Sequence, residues 1–119
     1  MTKRRSASEM ITDEVGAWPA VEVDTGELGE VAFKVNGREI GHVHGDHAAH
    51  FSFPKQTWDD LRAQGRIVAH PVFPTKRGPA ARVIDSDADV SDVVALFRIN
   101  YDRVVARRGL RARDGARSA

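Results

Sequence analysis

The sequence predicts an α+β domain: an antiparallel meander sheet with helices packed on one face, in the order α-β-β-β-β-α-β-β-α. Three observations predict it. Asn36-Gly37 between two apolar-rich runs is a strong short hairpin signal. Short runs of valine and phenylalanine, each bounded by turn residues, recur between positions 21 and 85. Val90, Val93, Val94, Phe97, Tyr101, Val104 and Val105 then repeat at helical spacing.

The elements follow in order. Ser6-x-x-Glu9 is a capping box that opens a helix over Ala7–Ala17, with Met10, Ile11 and Val15 inward. Trp18-Pro19 ends it, because the residue before proline avoids the helical region. Val21-Glu22-Val23 and Val31–Val35 read as strands. The Asn36-Gly37 turn leads into Arg38–His44, and Gly45-Asp46 marks a reversal into His50–Phe53. Pro54 suits the first residue of a helix that Gly65 terminates, with Trp58 and Leu61 on one face. Arg66–Phe73 is read as a strand, Pro74–Pro79 as a loop and Ala80–Asp85 as the last strand. Ser86-x-x-Asp89 caps the closing helix and Gly109 is expected to stop it.

A chain of 119 residues holds one domain with one core. The expected layout is a disordered basic arm over 1–6, a single domain over 7–108 and a disordered basic tail over 109–119. With no cysteine, disulfides, thiolate zinc sites and cysteine nucleophiles are excluded. Any metal site must use imidazole and carboxylate. No apolar run is long enough to span a membrane, and nothing apolar follows Lys3-Arg4-Arg5 to make a secretory signal. The expected location is the cytoplasm. Residues 1–9 carry a net +2 and residues 107–119 a net +4, which leaves −5 for residues 10–106. An acidic body repels phosphates, and the aromatic content of 7% forms no ridge alternating with basic residues. Nucleic acid is therefore not an expected partner. The oligomeric state is open.

Four of the five histidines fall in His42-Val43-His44-Gly45-Asp46-His47-Ala48-Ala49-His50. Imidazole binds metal and moves protons near neutral pH, so this is where chemistry is expected. Strand alternation puts His42 and His44 on one face and Val43 on the other. A two-residue turn at Gly45-Asp46 would bring His47 opposite His44 and send His50 across the sheet. A three-residue turn, Gly45-Asp46-His47, pairs His42 with His50 and places Phe51 and Phe53 beside Val43. The second register separates a core side from a chemical side and is the one expected. His42, His44 and His50 then form a candidate three-nitrogen metal site, with Asp46 a ligand or a partner that fixes a tautomer. The same face without a metal suits acid–base chemistry. The string His-x-His-x-Asp-His also occurs in metallo-β-lactamases. Those need a much longer sandwich and later ligands, and only His70 lies downstream here.

Gly37-Arg38-Glu39-Ile40-Gly41-His42-Val43-His44-Gly45-Asp46, Phe53-Pro54, His70-Pro71-Val72 and the closing Asn100-Tyr101, preceded by Trp18-Pro19, resemble the small actinobacterial luciferase-domain proteins. The resemblance covers roughly residues 15–106. That domain is more distantly similar to fungal luciferase, which oxidises a hydroxylated pyrone with molecular oxygen. What the resemblance implies is a catalytic set of His44, His50 and His70, acting as an oxidoreductase on an enol or phenol-like substrate. It does not imply light emission.

The function expected is thus a small enzyme or small-ligand binder with a histidine-lined pocket, using acid–base or oxygen-dependent chemistry. His42, Asp46 and Tyr101 are further candidates for ligand contact. The alternatives are a non-catalytic interaction module and a histidine-based metal-binding protein. The cofactor is either none or a His-bound divalent metal.

Overall fold

The structure, a computed structural model, describes residues 5–118, with side chains from 5 to 107. Of the basic arm expected over 1–6, residues 1–4 lie outside the described residues. The order is α1 (Ala7–Gly16), β1 (Val21–Thr25), β2 (Val31–Val35), β3 (Arg38–His44), β4 (Ala48–Ser52), α2 (Lys55–Ala63), β5 (Val68–Ala69), β6 (Pro79–Val83) and α3 (Asp87–Ser118). The six strands form one antiparallel sheet in the order β1-β2-β3-β4-β6-β5. The expected fold class and element order are those observed.

The turn and cap chemistry is mostly as read. Ser6 Oγ accepts from the Glu9 amide at 3.1 Å, the N-cap half of the capping box, and the Glu9 carboxylate accepts from the Ser6 hydroxyl rather than from the Ser6 amide. Asn36 and Gly37 have φ of 54° and 79°, the left-handed pair a tight hairpin needs. Gly65, with φ of 72°, closes α2: Arg66 N–H reaches Leu61 O and Gly65 N–H reaches Arg62 O. Pro54 sits one place earlier than expected, at the cap, where its carbonyl accepts from Trp58 N–H.

Several boundaries differ: β1 runs on to Thr25, and β4 is Ala48–Ser52 rather than His50–Phe53. The strand expected over Arg66–Phe73 is only Val68–Ala69. Pro71 and Pro74 withhold ladder donors, and the chain turns at once, Phe73 N–H bonding His70 O. Val72 is left 70% exposed. The last strand is Pro79–Val83 and stops short of Asp85. Finally, α3 does not stop at Gly109 but runs to Ser118. An interior glycine costs a helix only about 1 kcal/mol, and Leu110, Arg111 and Ala112 beyond it are strong helix formers.

One core joins α1, α3 and the sheet. Phe33, Phe51, Phe53 and Phe97 pack with Ile11, Ile40, Leu96 and Val93. Tyr101 and Val104 belong to the same core, while Val105 of the expected stripe is exposed. At the far end, Asp92 accepts from Arg66 at 2.6 Å and from Arg82 at 2.5 Å, and Asp89 accepts from Arg82 at 2.6 Å. This network ties β6 and the α2–β5 link to α3.

The regularity of β3 breaks once. Phe33 pairs with Gly41 but Lys34 pairs with Glu39, so Ile40 is an extra residue, a β-bulge. Gly41, with φ of 148°, lies directly under the core aromatics. A Cβ there would stand 2.6 Å from Phe97 and 2.8 Å from Phe51. Beyond the bulge the β3–β4 ladder ends at His42–His50. Two residues further along, the carbonyls of Ile40 and Ser52 accept from the buried Asn100 Nδ2, each at 3.1 Å. Gly41→Ala is expected to lower unfolding free energy by roughly 2–4 kcal/mol through this overpacking and backbone strain. Urea denaturation measures it; a loss under about 1 kcal/mol would show that the bulge relaxes freely.

Candidate functional site

The β3–β4 turn has the three-residue form. His42 pairs with His50, Val43 with Ala49 and His44 with Ala48. Val43, Ala49, Phe51 and Phe53 therefore enter the core, and His42, His44 and His50 share the opposite face. On β6, Ala81 lies opposite His50, and Val68 of β5 lies opposite Ala81. His70 is two residues past Val68 and so returns to the histidine face. The flanking Ala32, Ala48 and Ala81 are small, which leaves the rings room to meet.

They do meet. Ring centroids are 4.7 Å apart for His42–His44, 5.3 Å for His42–His50, 4.5 Å for His44–His50 and 4.3 Å for His50–His70. His50 is the hub, touching the other three. His42, His44 and His50 each offer a nitrogen within 4.8 Å of the others' nitrogens, so these three could hold a metal ion.

Crowding imidazoles penalises their charged forms. Burial first, then the neighbouring His70, His44 and His42, push the His50 pKa down to about 4. His44 is lowered by burial and by His42 and His70, with Glu30 opposing. Two contacts fix ring tautomers. His42 Nδ1 lies 3.0 Å from Glu39 Oε2; a carboxylate only accepts, so Nδ1 donates and the Nε2 lone pair is free. Val72 N–H donates to His70 Nδ1 at 3.1 Å, so the neutral His70 ring carries its proton on Nε2.

Sequence reasoning missed Glu39. Regular alternation would put residue 39 on the core side; the bulge at Ile40 turns it onto the histidine face. The signal was present as Gly41, since an isolated glycine inside a strand pattern marks a bulge or a close backbone approach.

The remaining candidates lie elsewhere. Asp46 Oδ1 accepts from Ser8 N–H at 2.9 Å, so the turn carboxylate caps α1 rather than facing the rings. Tyr101 is buried on α3, its hydroxyl donating to Pro19 O at 2.9 Å and its ring packed on Trp18, across the sheet from the histidines. Its spacing on the helix dictated core packing. His47 stays in the turn, where its carbonyl accepts from Ile84 N–H.

A family model described as luciferase domain matches residues 37–100, more than half of the chain. No curated protein and no solved structure matches. Among the described residues, no helix is long and apolar enough to cross a membrane.

The electrostatics of His50 has a measurable consequence. Its folded pKa is about 4 against an ordinary 6.5, so between these values the unfolded chain binds more protons. Stability should be complete above pH 6.5, fall as pH drops toward 4, and lose no more to this group below that. The melting temperature followed across this window should show the slope, and His50→Gln should flatten it. An NMR titration with His50 protonating near 6.5 would contradict the assignment.

Proposed function

The chain belongs to the luciferase-domain family, and on that premise we propose that its imidazole face is the working site of a small enzyme or small-ligand binder. The ligand class is an enol or phenol-like molecule, and the reaction class is oxidation with molecular oxygen. The observation that carries the reading is the convergence of four imidazoles, drawn from β3, β4 and the turn after β5, on one sheet face.

The chemistry follows from the tautomers. His44 is exposed and, with His50, presents neutral imidazole toward an acidic hydroxyl. His70, with its proton on Nε2, donates to the oxygen that remains once the hydroxyl ionises. The ionised form of an enol or phenol is the electron-rich one, from which oxygen can take electrons. Beside the rings lies an apolar rim of Val68, Val83 and Phe73, each more than 40% exposed, with Phe73 5.5 Å from His70. Such a rim suits the flat carbon skeleton of a ring-bearing ligand.

A hydroxypyrone and a simple phenol, titrated into the protein, are expected to shift NMR signals of His44, His50 and His70. Replacing His44 and His70 together by Ala should weaken binding by at least about tenfold. The melting temperature should stay within about 3 °C, because the removed groups lie outside the core. Equal binding by the double variant would remove the basis of the reading. Oxygen uptake with the hydroxypyrone separates an enzyme from a binder.

A further inference from the structure

We propose that His42, His44 and His50 form a three-nitrogen site for a divalent transition-metal ion, with Glu39 as its positioning residue and His70 outside the ligand set. The inference deepens the reading of this face as the working site and rests on it for the ligand that would fill the open position.

The donor set is of the right kind and number. Three imidazoles from two paired strands offer nitrogens within 4.8 Å of one another. Around a divalent ion at a metal–nitrogen length of about 2.1 Å, tetrahedral ligand atoms stand roughly 3.4 Å apart. Closing that difference takes ring rotation on the order of 1 Å. The rings are exposed or half-buried and flanked by alanines, so rotation meets little resistance. Three imidazoles and no thiolate select zinc, cobalt, nickel, copper or ferrous iron over magnesium or calcium.

The second observation is independent of ring proximity. Glu39 holds the His42 proton on Nδ1, which aims the Nε2 lone pair away from the carboxylate. A carboxylate behind a ligating imidazole fixes its tautomer and raises its basicity. The contact exists because of the bulge at Ile40, and the bulge requires a glycine at 41. His70 shows the opposite arrangement. Its Nδ1 lone pair is taken up by Val72 N–H, and its Nε2 bears a hydrogen. That ring cannot ligate in its neutral form, yet it can donate to an oxygen bound at the open position. The metal would then supply the positive charge that an ionised enol or phenol oxygen needs.

The test is titration of tag-free, chelator-treated protein with Co²⁺, followed by visible absorption, with calorimetry using Zn²⁺ alongside. The expected result is one ion per chain with micromolar or tighter affinity. His44→Ala and His50→Ala should each weaken it at least about tenfold. Glu39→Ala should weaken it about 10- to 100-fold, and Glu39→Gln, whose carbonyl still accepts from Nδ1, should recover part of the loss. His70→Ala and His47→Ala should change it less than about threefold. Circular dichroism on each variant confirms folding, and His44→Gln serves if His44→Ala does not fold. Absence of a one-to-one complex, or equal binding by the His44 and His50 variants, overturns the proposal. So does a His47→Ala loss as large as theirs, because the ion would then sit on the turn. Phenol binding is measured on the metal-free protein. If it persists while metal binding fails, the metal site falls and the ligand site stands; the reverse result inverts that conclusion.

Discussion

The backbone of β3 lies so close to the aromatic core that one residue in it can have no side chain. Phe97 of α3 and Phe51 of β4 press on Gly41 from the core side, closer than a Cβ would permit. The packing of α3 on the sheet, the bulge one residue earlier and the position of Glu39 all depend on that contact. Phe33 completes the arrangement, meeting Phe97 edge-on at 5.1 Å. The aromatic contacts are favourable in themselves, and edge-to-face pairs add about 0.5–1.5 kcal/mol beyond buried area. They also set the parity of β3, because an extra residue reverses which side chains face the core from that point on.

The two faces of the sheet thus perform separate tasks. One is covered by helices and filled with phenylalanine and aliphatic side chains. The other is left open and carries imidazoles between alanines. Neutral rings packed edge to face or tilted can share this space; protonated ones repel each other, opposed by Glu39 beside His42 and by Glu30 near His44. The cluster therefore favours states in which its nitrogens meet hydrogen-bond donors, a proton-giving ligand or a cation. The tautomers of His42 and His70 are set by a carboxylate and by a backbone amide, so two of the four rings have assigned roles before anything binds.

Much of this was legible in the residues. The register of β3 and β4 followed from asking which turn length puts Phe51 and Phe53 with Val43, and that single choice fixed the three-histidine face. Caps at Ser6 and Ser86 and the glycine at 65 marked helix ends through local backbone chemistry. What the residues hid was non-local. Val72 and Phe73 are apolar and read as strand, but the prolines on either side leave them without ladder partners. Asp46 stands in a motif that looks like ligand spacing, yet α1 arrives beside it and takes its carboxylate. Glu39 was off the site by simple alternation and on it once Gly41 is read as a bulge marker. The glycine at 109 read as a stop although its neighbours carry the helix onward.

Asn100 gives the fold an unusual kind of lever. Its amide spans the carbonyls of Ile40 and Ser52 just where the β3–β4 ladder lapses, while its own oxygen is held by Arg103. The gap between the two strands is therefore gauged from inside the core, by one side chain on a helix that never touches the imidazoles. His42 and His50 form the last pair of the ladder next to that gauge. The helix that fills the core thus also finishes the strand pair from which the open face projects, and the two faces of the sheet share one anchor.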